Sequence, residues 1–83
     1  MLKFNSTLST DLFKNLRSDV LNGQAVLDIV YNEETKKALI SVVVGRGCSY
    51  VIYDSFCESP ITKGKELLGI DLNAKIQINE FYM

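Results

Sequence analysis

The first part of the chain carries apolar residues at every third or fourth position, with polar residues between them. The apolar positions are Leu8, Leu12, Phe13, Leu16 and Val20. This spacing predicts an amphipathic helix. Ser9 or Thr10 is a suitable N-cap and Asn22-Gly23 favours a left-handed stop, so we predict a helix over residues 10–22.

Three segments rich in β-branched and aromatic residues follow, at 25–31, 38–44 and 48–54. They predict three strands. A hairpin with its loop at 33–36 gives pairs that are apolar throughout: Tyr31 with Ala38, Ile29 with Ile40, Leu27 with Val42, and Ala25 with Val44. The glycines around Arg46 predict a second tight turn, which continues the same face with Cys48 opposite Val44, Tyr50 opposite Val42, and Ile52 opposite Ile40.

The last third of the chain predicts a short helix and a final strand. Ser59-Pro60 is typical of a helix start and Gly69 of a helix end, while Gly64 inside the segment weakens the helix. Apolar and polar residues then alternate from Ile70 onward, which predicts a half-buried strand paired from about residue 74 to residue 81. Residues 2–4 are a candidate edge strand.

These elements predict one α+β domain of 83 residues. We expect a four-stranded antiparallel sheet with one main helix packed on one face, in the order α-β-β-β-(short α)-β. The first five elements resemble those of double-stranded-RNA-binding domains, whose second helix begins with lysines that Lys63 and Lys65 partly match. We interpret this resemblance as a shared topology and not as family membership.

Charge and hydropathy give no specific partner. Nine basic and ten acidic residues leave a net charge of −1, so the charge does not favour nucleic acid as a partner. The longest apolar stretch, residues 38–44, is too short to cross a membrane, and the first five residues do not resemble a signal peptide. We therefore expect a soluble protein of the cytoplasm.

Catalytic chemistry has little support in the composition. The sequence contains no histidine, and its two cysteines are too few for a mononuclear structural zinc site, so we predict no catalytic residues, no metal and no cofactor. Asp54 and Glu58 could act as an acid–base pair, but a solvated charged rim is the simpler interpretation. We expect Cys48 and Cys57 to be unpaired packing residues, with Cys48 on the core face.

The second face of the predicted sheet is the more informative surface. The hairpin register sets Val26, Asp28 and Val30 opposite Val43, Ser41 and Leu39, with Ser49, Val51 and Tyr53 alongside. This face is half apolar with a polar centre, where Ser41 could donate a hydrogen bond to Asp28. Either the second helix or the chain ends cover the face, or it is an interface.

We therefore predict a small non-enzymatic interaction domain that occupies the surface of a partner protein and self-associates through its sheet. Its size and composition resemble those of phage-encoded inhibitors of bacterial machinery. The predicted partner-binding residues are Arg46 at the hairpin tip and, on the second face, Val26, Asp28, Val30, Leu39, Ser41, Val43, Val51 and Tyr53. The alternative is an RNA-binding module that contacts phosphates through Lys63, Lys65 and Arg46.

Overall fold

The order of helices and strands agrees with the sequence-based prediction. The computed structural model describes residues 10–45 and 47–83. These ranges contain α1 (Thr10–Leu21), β1 (Ala25–Asn32), β2 (Lys37–Val44), β3 (Ser49–Phe56), α2 (Pro60–Leu68) and β4 (Ile78–Tyr82). The four strands form one sheet in the order β3-β2-β1-β4, which confirms a small α+β fold. The candidate edge strand at 2–4 lies outside the described residues.

The turn between α1 and β1 follows the predicted left-handed stop. Gly23 has a φ of +79°, a conformation that glycine adopts without a steric penalty. The backbone N–H groups of Gly23 and Gln24 donate to the carbonyls of Val20 and Asp19 at 3.2 and 2.8 Å, which satisfies two groups at the end of the helix. The chain therefore reverses within a few residues, and α1 packs on β1 and β2.

The first hairpin has the predicted register at every pair, from Ala25 opposite Val44 to Tyr31 opposite Ala38. Its loop is the predicted one at 33–36. The side-chain oxygen of Asn32 accepts the N–H groups of Glu34 and Thr35 at 2.9 and 3.2 Å, which holds the turn closed.

The second hairpin corrects part of the prediction. Tyr50 lies opposite Val42 as expected, but an irregularity between Ile40 and Ser41 sets Ile40 opposite Tyr53 instead of Ile52. A bulge adds one residue to β3, so beyond it the alternation of side chains between the two faces is shifted by one position. Ile52 and Tyr53 consequently both pack against the core, so the placement of Tyr53 on the second face was wrong.

The direction of β4 also differs from the prediction of a purely antiparallel sheet. β4 pairs with β1 in parallel, with Leu27 opposite Ile78 and Tyr31 opposite Tyr82. The cause is the connection through α2, because a crossover helix returns the chain to the end of the sheet from which β3 started. β4 then runs in the same direction as β3 and β1, and the sheet is mixed.

β4 begins at Ile78, later than the predicted start of pairing near residue 74. Asp71 closes a turn, since its side chain accepts the N–H of Asn73 and its carbonyl accepts the N–H of Ala74, both at 2.9 Å. The Lys65 Nζ donates to the carbonyls of Leu72 and Ala74 at 3.0 and 2.8 Å and ties this turn to α2. Backbone groups held in this way are not available to a neighbouring strand, so residues 71–74 form a turn and β4 follows at Ile78.

Both helices pack on one side of the sheet, which we call the helix face, so the prediction of one main helix on the sheet was incomplete. The helices and this side of the strands share one buried cluster: Leu16, Val20, Ala25, Leu27, Ile29, Tyr31, Ala38, Ile40, Val42, Cys57, Leu68 and Ile70. Gly64 explains how α2 approaches so closely, because a Cβ atom there would lie 2.7 Å from Cδ2 of Leu27. Gly64, which weakens the helix in the sequence-based prediction, is therefore the residue that allows α2 to pack closely on the sheet.

Candidate functional site

The other side of the sheet, which we call the open face, is covered by neither helix. Strand pairing assigns to it the alternate residues of each strand. In the described part of the chain these are Val26, Asp28, Val30, Asn32, Lys37, Leu39, Ser41, Val43, Ser49, Val51, Asp54, Phe56, Asn79 and Phe81. The interpretation that the second helix covers this face is therefore wrong.

A polar row crosses the middle of the open face. Asp28 on β1 lies opposite Ser41 on β2 and opposite Asn79 on β4. Val26 and Val30 precede and follow Asp28 on the same side of β1. The carboxylate of Asp28 makes no hydrogen bond or ion pair with any described residue, so the expected bond from Ser41 is not formed.

Apolar side chains surround this row and remain accessible. Leu39 and Val51 are each 36% exposed, Phe81 is 52% exposed and Phe56 is 58% exposed. Val26, Val30 and Val43 are half-buried by their neighbours in the sheet, and they make the surface continuous. The face thus has the half-apolar character that the sequence predicted.

A cavity of about 260 Å³ lies at one end of the open face. Val30, Leu39 and Met83 supply its apolar wall, and its polar wall contains Asn32, Thr35, Lys37 and Asp54. The Nζ of Lys37 and a carboxylate oxygen of Asp54 are 3.8 Å apart and both side chains are exposed. The predicted solvated rim is thus present at Asp54, where a lysine compensates the charge.

The parallel β4 strand brings residues to the site that the sequence analysis missed. Asn79 and Phe81 lie beside Asp28 and Val30, and Met83 closes the cavity next to them. The signal that could have found them is the helix between β3 and β4, because a crossover implies a parallel strand. Seven of the eight partner-binding residues predicted on the second face do share the open face, Tyr53 being the exception, whereas Arg46 lies outside the described residues.

A second, acidic cavity lies on the other side of the sheet, beside the start of α2. Its volume is about 280 Å³ and its lining includes Glu33, Glu58, Glu80 and Tyr82. The carboxylate of Glu80, followed by desolvation and by Glu33, raises the pKa of the Tyr82 phenol above its usual value of 10.0. Glu58 lines this cavity, whereas Asp54 pairs with Lys37 on the open face. The two carboxylates considered as an acid–base pair therefore lie on different surfaces.

The two lysines of the RNA-binding alternative are engaged within the chain. The Lys63 Nζ lies 5.1 Å from the centre of the Tyr53 ring, a cation–π contact. Lys65 donates both of its hydrogen bonds to the turn after α2. Both ammonium groups therefore contact groups of their own chain.

Both cysteines are free, as predicted. Cys57 is a packing residue, and its carbonyl accepts the Tyr31 hydroxyl at 2.9 Å. Cys48 is exposed beside the second turn, so the prediction that it packs in the core is wrong. Within residues 10–45 and 47–83, no group of His, Cys, Asp and Glu side chains is arranged to hold a metal ion.

Neither described helix has the length and apolar character that crossing a membrane requires. Comparison with known proteins adds no further constraint on function. No family model matches the chain, and no curated protein or solved structure matches it either.

Proposed function

We propose that this domain binds another protein through its open face and catalyses no reaction. The observation that carries the proposal is the packing of both helices on the helix face, which leaves the half-apolar open face uncovered by either helix. A sheet whose second face only meets water usually carries mostly charged residues there. Leu39, Val51, Phe56 and Phe81 are instead accessible to a partner.

The absence of histidine from the sequence supports a role without catalysis, because the commonest general base is missing. Binding is then the whole activity, and the domain acts by occupying a surface of its partner in the cytoplasm. This is the mode of action of phage-encoded inhibitors, which the chain resembles in size and composition. A second copy of the chain is a further candidate partner for the same face.

Val43→Lys tests the proposal. Val43 lies within the open face and its side chain is half-buried, so a lysine there should oppose close apolar packing by a partner. The matched control is Leu21→Lys, which adds the same charge at a 50% exposed residue of α1. We expect both variants to keep the circular dichroism spectrum of the wild type.

A protein that co-purifies with the wild type and with Leu21→Lys should be lost from Val43→Lys. Light scattering on the same samples detects self-association through the face. If Val43→Lys remains folded with unchanged mass and unchanged partner binding, the open face is a solvated surface and the proposal fails. If it unfolds while Leu21→Lys does not, the face is covered by the chain itself.

The RNA-binding alternative has less support because Lys63 and Lys65 contact their own chain. A salt titration of any observed binding separates the two functions. Contacts to phosphates weaken steeply with salt, whereas apolar packing on the open face does not.

A further inference from the structure

The centre of the open face carries a charge, Asp28, that has no counterion among the described residues. Asp28 is half-buried between Val26 and Val30, and no described residue donates a hydrogen bond to its carboxylate or forms an ion pair with it. In the free domain, water can solvate this group. Once a partner covers the face, the carboxylate loses that water and needs a donor.

The strands themselves do not provide a cation for Asp28. Lys37 is the one basic residue in the four described strands. It lies opposite Asn32, four residues along β1 from Asp28, which is about 13 Å at the rise of a strand. Its ammonium group is moreover next to Asp54.

We infer that the partner of the open face presents a guanidinium or ammonium group to Asp28, flanked by apolar side chains that pack on Val30 and Leu39. This inference rests on the proposed function and specifies the chemistry of the partner. A cation at this position compensates the one charge at the centre of the face, and the apolar residues around it exclude water. Truncating either member of such a desolvated pair weakens binding strongly.

The same charge argues against a second copy of the chain as the main partner. A two-fold interface centred on this face places the same patch of both copies together. The two Asp28 carboxylates then meet near the axis, where like charges oppose association. A separate partner with a basic residue avoids this repulsion.

A selection from a library of random 12-residue displayed peptides on the immobilised full chain provides a suitable probe. We expect enriched peptides to carry one arginine or lysine flanked by apolar residues, and to lose binding to Val43→Lys but not to Leu21→Lys. An enriched arginine peptide is then synthesised together with a twin in which citrulline, the neutral isostere, replaces the arginine. Amide shifts of the ¹⁵N-labelled wild type identify the face that the peptide occupies.

Citrulline should weaken binding to the wild type by at least about tenfold, the effect expected when a charged hydrogen bond is lost. With Asp28→Asn, the affinities of the arginine and citrulline peptides should differ by less than about twofold, because the variant lacks the carboxylate charge that distinguishes arginine from citrulline. The wild-type comparison alone decides the matter if Asp28→Asn does not fold.

The remaining outcomes separate this inference from the proposed function. If the enriched peptides contain no basic residue but fail to bind Val43→Lys, the charge pairing with Asp28 is overturned and the proposed interface is still supported. Peptides that bind Val43→Lys normally, or a selection that enriches none, overturn both. If the wild type is a dimer that Val43→Lys dissociates, a second copy occupies the face. If the open-face amides shift in Lys3→Gln without peptide, the chain's own first residues occupy it. Each result overturns the inference.

Discussion

The two faces of the sheet are built from the same strands, yet they differ in composition and in what covers them: the helix face of β1 and β2 is wholly apolar, whereas the open face is half apolar. Along β1, buried and half-buried residues alternate without exception. Leu27 on the helix face is 0% exposed, whereas Leu39 on the open face is 36% exposed. Both helices pack on the more apolar face, and the half-apolar side of the same strands is covered by neither of them.

The difference in cover between the two faces arises from the positions of the two helices along the chain. α1 precedes β1 through a tight glycine turn, and α2 joins β3 to β4 across the sheet. Both helices lie on the helix face and meet each other there, so their apolar sides are already used. Neither helix covers the open face, and we propose that a partner with a charge that matches Asp28 packs there.

The largest expected effect comes from the same truncation on each face. Leu27→Ala should lower the free energy of unfolding by about 2–5 kcal/mol, because it leaves a cavity among fully buried side chains. Leu39→Ala should lower it by no more than about 1 kcal/mol, since that side chain is already partly in water. Urea unfolding measures both values.

The contrast between Leu27 and Leu39 matters because a domain of this length has only about 4–12 kcal/mol of stability. Equal losses at the two leucines would mean that the open face is packed as tightly as the helix face. The proposal of an interface there would then be contradicted.

Gly64→Ala tests how tightly α2 approaches the sheet. In an exposed helix this change stabilises by about 1 kcal/mol. Here the new methyl group would meet the buried Leu27 side chain, so we expect a net loss of about 1 kcal/mol by urea unfolding. Thr62→Ala, at an exposed position of the same helix, is the control and should not destabilise. A gain at Gly64 would mean that α2 can move away from the sheet at little cost.

The sequence was most informative where neighbouring segments pair with each other. The register of β1 and β2 followed from the requirement that Ala25, Leu27, Ile29 and Tyr31 each meet an apolar partner. A shift of one residue would have set Leu27 opposite Ser41 and Tyr31 opposite Lys37, so the pattern excluded that register, and the four-residue loop at 33–36 selected among the rest. The second face, with Asp28 opposite Ser41, came from the same register.

The bulge in β3 could not be predicted in this way. Residues 50–53 are all apolar, so a pairing with Ile52 and a pairing with Tyr53 opposite Ile40 both satisfy the core. The alternation gives no signal when neighbouring residues are equally apolar. Tyr53 was consequently assigned to the wrong face.

The pairing of β4 depends on distant parts of the chain. The alternating segment after Ile70 indicated a strand, but periodicity does not give its direction or its neighbour. The direction follows from the crossover through α2, and the position beside β1 follows from the core that both helices share. Asn79 and Phe81 were missed as members of the site for this reason.

The edge of the helix face provides the finest test of the comparison. Glu80 and Tyr82 lie on the same side of β4 as the core residues of β1, yet both are exposed. The Tyr82 ring meets the ring of Tyr31 edge-on, with 6.2 Å between their centroids. The cover provided by the helices thus reaches Ile78 but not Glu80 or Tyr82 on β4, and charge more than burial raises the pKa of Tyr82.

Glu80→Gln should therefore lower the pKa of Tyr82 toward its usual value. The negative charge of Glu80 is the largest cause of the raised pKa, because it disfavours the phenolate. The ¹³C signal of the Tyr82 ring, assigned with Tyr82→Phe and followed through a pH titration, measures the change. Glu34→Gln is the matched control, since Glu34 does not contribute to the shift, and it should leave the titration unchanged. A pKa that stays raised in Glu80→Gln would mean that desolvation or the charge of Glu33, and not Glu80, is the main cause.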